Sequence, residues 1–193
     1  MIIRSLPIIL ASASPRRKKL LQQINLKFKT LSVDLDEKQL PNEKPFRMVK
    51  RLAYEKLQLA LQKIETGIVI TADTIVVLDG KIIGKPKDEI DAVKILKKLS
   101  GRKHTVYTGF AVFNTSTNKK ICSYEKTFVQ FRKLTNEEIS LYVESGSPMD
   151  KAGAYGIQDD FGAVFIQAIN GCYYNVVGLP LSRVYHALKE VGV

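Results

Sequence analysis

Apolar positions fall in short runs along this chain, and the runs alternate between strand-like and helix-like spacing. Residues 8 to 11 form a continuous apolar run suited to a buried strand. Residues 14 to 24 predict a helix. Ser14 is a good N-cap, and Pro15 suits the first helical position, where a missing N–H costs nothing. Residues 28 to 34 alternate and predict a second strand. Residues 41 to 45 read as a loop and 45 to 64 as a longer helix. Residues 69 to 78 are strongly strand-like, with Asp79-Gly80 as a hairpin turn and 81 to 84 as the return strand. Residues 88 to 99 are helical, and Ser100-Gly101 stops them. Two β runs, 105 to 113 and 121 to 131, flank a turn-rich stretch at 114 to 120. Thr135 and Glu138 make a capping box for a helix reaching Glu144. A glycine-rich loop covers 145 to 162. A further hairpin is expected from 163 to 169 and 173 to 177, and a closing helix from 181 to 191.

This mixed order of helices and hairpins predicts an α/β fold with a mixed sheet, not a pure βαβ alternation. With 193 residues, 45% of them hydrophobic, the chain can build one domain spanning 1–193, with room for two lobes. No apolar run is long enough to span a membrane. The opening Met1-Ile2-Ile3-Arg4 is too short for a signal peptide. A soluble, cytoplasmic protein is the expectation, and Cys122 and Cys172, with no metal-type spacing, read as reduced structural thiols.

Net charge is +11, which brings polyanions into view. The lysines are spread along the whole chain, so a nucleotide or polyphosphate substrate suits the charge as well as nucleic acid does. The stretch Ala11-Ser-Ala-Ser-Pro-Arg-Arg-Lys-Lys-Leu-Leu21 places four cations at the positive end of a helix dipole, where they are slightly destabilising unless an anion joins them. A strand entering a helix N-terminus with hydroxyls and arginines describes a phosphate site built on Ser12, Ser14, Arg16 and Arg17. A solvated cationic face is the competing reading. Asp73 interrupts the apolar run Ile68-Val-Ile-Thr-Ala-Asp-Thr-Ile-Val-Val-Leu78, and a carboxylate there is costly unless paired or bound to a cation. It could ligate Mg²⁺ or act as a general base toward water, or it could face solvent at a strand end. Lys85, between Gly84 and Pro86, could neutralise phosphate charge or simply be a surface lysine. Lys56 falls on the apolar stripe of its helix, snorkelling or aimed at an anion. Lys151, Gly153, Gly156 and Gln158 could let the backbone approach a ligand, with the Gln158 amide reading a base edge. Asp34, Asp36 and Glu37 add carboxylates, Glu37 being a candidate on the metal side.

Together these segments resemble the Maf family of nucleoside triphosphate pyrophosphatases. The resemblance rests on LASASPRRKKLL, TADTIVVLDGKIIGKP, LSGRKHTVYTGFAVF, DKAGAYGIQ and NVVGLPLSRVYHAL, and covers nearly the whole chain. It implies hydrolysis between the α- and β-phosphates of a nucleoside triphosphate, assisted by Mg²⁺ or Mn²⁺. It further implies a two-lobed α/β fold with a twisted mixed sheet flanked by helices and a cleft between the lobes, similar to the inosine triphosphate pyrophosphatases. A homodimer and a link to septum formation and cell-division arrest are also implied. By resemblance Asp73 is the proton acceptor, close to the metal with Glu37. Arg16, Thr74 and Gln158 match positions tied to specificity. Ser12, Arg17, Lys56, Lys85 and Lys151 match positions that bind phosphate or metal. Ser-Pro-Arg-Arg, Ala-Asp-Thr and Tyr-Gly-Ile-Gln look like the subgroup preferring dTTP and UTP. Ala13, Leu57 and Cys172 depart from the usual pattern, and none touches these positions. The alternative classes are a nucleic-acid-binding regulator and a division scaffold. No recognition-helix motif or aromatic platform is legible, so no specific nucleic acid is expected, and no membrane.

Overall fold

The computed structural model describes residues 6–158 and 161–193. The opening Met1-Ile2-Ile3-Arg4, and Asp159 and Asp160 of the glycine-rich stretch, lie outside the described residues. In chain order the elements are β1 (Ile8–Ala11), α1 (Pro15–Gln23), β2 (Lys29–Leu31), α2 (Pro45–Leu61), β3 (Ile68–Leu78) and β4 (Lys81–Ile83). They continue as α3 (Glu89–Leu99), β5 (Lys103–Asn114), β6 (Lys120–Phe131), α4 (Asn136–Glu144), β7 (Ile166–Asn170), α5 (Tyr173–Val177) and α6 (Leu181–Val191). The strands make a seven-stranded mixed sheet in the order β2-β1-β3-β5-β6-β7, with β4 paired to β3. This is the expected α/β class. Among the described residues no helix is long and apolar enough to cross a membrane.

The described residues divide into two compact units. The first takes those up to Asp73, Thr108–Glu125 and Gly178–Val193; the second takes the rest. In the first unit β1 runs parallel to both β2 and β3, with Ile9 opposite Lys29 and Ile8 opposite Ile68. Helix α2 turns Met48, Val49, Leu52, Ala53, Lys56, Leu57 and Ala60 inward. Leu57 and Ala60 join Ala11, Val69 and Ala111 in one apolar cluster. Two small features let α2 sit close. Thr71 Oγ1 donates to the Ala53 carbonyl at 2.7 Å. A Cβ on Gly109 would stand 2.1 Å from the Val49 carbonyl oxygen, so only glycine fits beneath the helix. Asn114 Nδ2 donates to the Val191 carbonyl at 2.8 Å and ties down the end of α6.

In the second unit β3 turns into β4 through Asp79 (φ 50°) and Gly80 (φ 74°), the paired positive φ values of a tight hairpin turn. Val76, Leu96, Val106, Val129, Phe131, Tyr142 and Phe165 belong to its core. His104 is buried among them, with Nε2 2.7 Å from the Tyr155 hydroxyl. Burial pushes its pKa down to about 4, so the ring is neutral at physiological pH.

Three expectations are corrected. The strand at 28 to 34 shrinks to Lys29–Leu31. The glycine-rich stretch contains the 3₁₀ turns Ser147–Asp150 and Ala152–Ala154, and a third, Phe161–Phe165, follows where a strand was expected. The expected hairpin from 163 to 177 does not form. Ile166–Asn170 pairs instead with β6, Phe128 opposite Asn170, and Tyr173–Val177 is a short helix. Side chains explain the change. The buried Asn175 amide donates to the Val106 carbonyl (3.1 Å) and Thr127 Oγ1 (2.9 Å), and Thr127 Oγ1 also accepts from the Cys172 N–H at 3.0 Å. These bonds anchor the segment, and no strand ladder is needed.

Candidate active site

The first unit holds Ser12, Ser14, Arg16, Arg17, Glu37, Lys56 and Asp73, all singled out from sequence. At the β1–α1 junction the Ser14 hydroxyl caps the helix, accepting from the Arg17 N–H at 3.4 Å. Ser12 Oγ accepts from the Ser14 N–H and from Arg17 Nη1, both at 3.2 Å. Arg17 Nε donates to the Gly178 carbonyl at 2.8 Å. The guanidinium is therefore held at the helix N-terminus by the turn on one side and a distant loop on the other. Lys18 and Lys19 are exposed, as the solvated-face reading required of them, and Arg16 is partly buried. The sequence gives Gly178 no role toward Arg17, because a carbonyl partner 161 residues away leaves no local signal.

Beside this junction stands a buried charge cluster. Lys56 and Asp73 are 8% and 3% exposed. Lys56 Nζ lies 2.6 Å from Asp73 Oδ1 and 2.6 Å from Glu37 Oε1. The carboxylate inside the apolar strand is thus paired, which is what its burial demands. Burial raises the Asp73 pKa, and the Glu37 charge adds to the rise; Lys56 and Arg17 oppose it. Burial likewise lowers the Arg17 pKa, with Asp73 the largest opposing influence. Arg17, Glu37, Lys56 and Asp73 are consequently one electrostatic group. Lys56 neither snorkels nor stands idle; it joins two carboxylates.

Thr74 follows Asp73 in β3 and is partly buried. In the second unit Lys151 is buried, its Nζ donating to the Ser147 carbonyl, to Ser147 Oγ (3.1 Å) and to Asp150 Oδ1 (2.9 Å). A Cβ on Gly156 would meet Lys151 Cε at 3.0 Å and Gln158 Nε2 at 3.4 Å, so these two side chains flank a glycine that leaves room for them. Lys85 is exposed, one residue after the Gly84 carbonyl that accepts from the Gly153 N–H at 3.0 Å.

This arrangement offers a buried carboxylate with an adjacent cation and a guanidinium at a helix N-terminus, a set of groups suited to a phosphorylated ligand. A family model described as Maf-like protein matches residues 7–191. The chain belongs to the Maf-like family. Curated relatives agree along its length. A dTTP/UTP pyrophosphatase of Syntrophomonas wolfei is 47% identical over 183 residues, covering 95% of this chain and 96% of the relative. One of Dictyoglomus turgidum is 48% identical over 186 residues, covering 96% of each. One of Clostridioides difficile is 46% identical over 183 residues, covering 95% and 94%. The Maf-like segments quoted from the sequence hold Ser12, Arg17 and Asp73 of this cluster, while Glu37 and Lys56 reach it from outside those segments.

Proposed function

We propose that this chain hydrolyses dTTP and UTP at the α–β phosphoanhydride bond, releasing pyrophosphate and the nucleoside monophosphate. The observation that carries the reading is the buried Asp73 carboxylate, ion-paired to Lys56 in the same electrostatic group as Arg17. The names of relatives at 46–48% identity supply the substrate class.

The reaction adds water at the α-phosphorus. Asp73 accepts the proton of that water, and its raised pKa makes it a better acceptor than an ordinary carboxylate. Arg17, fixed by Ser12 and Gly178, holds phosphate oxygens in a forked geometry at the α1 N-terminus, and Arg16 adds charge there. Lys56 keeps Asp73 ionised while the substrate binds. Pyrophosphate leaves as an anion, and the resemblance in sequence is what names Lys85 and Lys151 as phosphate-binding cations. Thr74 and Gln158 are assigned to the pyrimidine, the Gln158 amide offering both a donor and an acceptor.

A divalent cation fits this donor set. Glu37 and Asp73 bring hard carboxylate groups to either side of the Lys56 ammonium, one oxygen of each at 2.6 Å from it. Among the described residues no group of three or more His, Cys, Asp or Glu side chains could hold a metal. Two carboxylates completed by substrate and water oxygens is the pattern Mg²⁺ favours. Held by these two carboxylates, Mg²⁺ or Mn²⁺ would offset charge on the phosphate oxygens.

The test is product analysis of wild type and Asp73→Asn with a panel of nucleoside triphosphates and Mg²⁺. Monophosphate and pyrophosphate from dTTP and UTP, lost in the variant, are expected. Release of single phosphate, or equal turnover by the variant, would overturn the reading.

A further inference from the structure

Glu37 lies on a stretch, residues 32–44, with no helix or strand. An irregular segment does not by itself hold a carboxylate 2.6 Å from a buried ammonium; something must hold the segment. The answer is on α2, five residues before Lys56. Arg51 donates from Nη2 to the Lys38 carbonyl at 3.0 Å, the residue immediately after Glu37. Its Nε and Nη2 form a fork onto both oxygens of Glu43, each at 2.7 Å. Glu43 Oε2 in turn accepts from the Leu40 N–H at 3.3 Å. The third face of the guanidinium, Nη1, meets Glu55 one turn along the same helix, at 3.0 Å and 3.1 Å. Two of the three contacts therefore grip the segment, and one stays within the helix.

These bonds are not the loose surface pairs that contribute little. The Arg51 and Glu43 side chains are 22% and 9% exposed. A planar fork with all three N–H directions used is a fixed clamp, which a lysine cannot reproduce. Each partner's charged form is favoured: Glu43 is pulled below the usual carboxylate range by Arg51, and the Arg51 guanidinium is raised by Glu43.

We propose that Arg51 is a positioning residue. It straps residues 38–43 to α2 so that Glu37 stands ready beside Lys56 and Asp73. The structural half of this inference rests on geometry alone; the half concerning cation use rests on the pyrophosphatase reading. Arg51 touches no reacting atom. It acts through the backbone next to Glu37, and groups that orient ligating carboxylates typically change metal affinity or activity by about 10- to 100-fold when removed.

The experiment compares Arg51→Met, Glu43→Ala and Glu55→Ala. Glu55→Ala is the control, since it removes a bond to Arg51 without releasing the segment. The first measurement is backbone hydrogen exchange of residues 36–42 in the free protein, with no nucleotide or cation. Arg51→Met and Glu43→Ala are expected to exchange faster there, with Glu55→Ala matching wild type. The second measurement is the Mg²⁺ concentration for half-maximal pyrophosphate release from dTTP. It is expected to rise about 10- to 100-fold in the first two variants, with kcat restored toward wild type at saturating Mg²⁺, a pattern that mere destabilisation would not produce. Unchanged exchange in Glu43→Ala overturns the strap. Faster exchange with an unchanged Mg²⁺ requirement overturns its role toward the cation. If wild type releases no pyrophosphate at all, the function reading fails, and the exchange measurement still decides the strap.

Discussion

The ammonium of Lys56 lies 2.6 Å from Oδ1 of Asp73, so the carboxylate assigned to accept a proton is already ion-paired at rest. The pair is buried, and its carboxylate still has a raised pKa because desolvation outweighs the attraction. Replacing Asp73 with Asn should therefore separate function from stability. Pyrophosphate release is expected to fall by about 10² to 10⁴. The melting temperature should hold or rise, since a costly buried charge is removed and Glu37 remains to pair Lys56. Parallel turnover and melting measurements check both; a variant that loses activity only by unfolding would refute the separation.

The same shift sets the acid side of the activity profile. Asp73 must be ionised to accept a proton, and its folded pKa lies above the ordinary 3.8. As pH falls, activity should therefore decline through a value above 3.8, not at it. Lys56 is the largest influence holding that value down. Lys56→Met should move the acid limb of kcat/KM further up. A limb that moves down would show that Lys56 serves some other purpose.

Two of the bonds that Arg17 makes are specific to a guanidinium: Nε to Gly178 and Nη1 to Ser12. Arg17→Lys keeps the charge but cannot make both. KM for dTTP is expected to rise at least about tenfold in either Arg17→Lys or Arg17→Ala, the worth of a lost charge-assisted bond. Lysine restoring wild-type KM would mean that only charge matters.

His104 makes stability depend on pH. Its folded pKa is about 4 against an ordinary 6.5, so between these values the unfolded chain binds a proton that the folded one refuses. Stability is then full above 6.5 and declines as pH falls toward 4, by about 3 kcal/mol in total. Urea unfolding at a series of pH values should show this loss, and His104→Gln should flatten it.

Glycines 109 and 80 should respond differently to alanine. At Gly109 the new Cβ would meet α2 backbone at 2.1 Å, and the helix must move, at about 3 kcal/mol or more. At Gly80 there is nothing within 4 Å, and only the φ of 74° resists, at about 1 kcal/mol. Comparable losses in denaturant unfolding would contradict the close packing of α2.

Local chemistry in this chain was legible where it acts locally. The Ser14 cap, the Asp79-Gly80 turn and the Thr135–Glu138 capping box all formed where their residues predicted, because each is decided within four residues. Asp73 and Lys56 stood out by the same logic, as charges set in apolar patterns. What could not be read was partnership at a distance. Nothing near Tyr173–Val177 says that Asn175 will bond Val106 and Thr127, and strand propensity misled there. Nothing near Glu37 names Lys56, or near Arg17 names Gly178. Arg51 offered one clue, Glu55 at helical spacing, but its hold on Lys38 needed coordinates.

The bond from Arg17 to Gly178 also has a meaning in time. The first unit is assembled from three stretches of chain, and its last stretch starts at Gly178. During synthesis the turn from Ser12 to Arg17 emerges early, but its arginine lacks one of its anchors until Gly178 leaves the ribosome. A nascent chain can thus carry Ser12, Arg17, Lys56 and Asp73 while the Arg17 guanidinium still waits for the carbonyl that fixes its Nε.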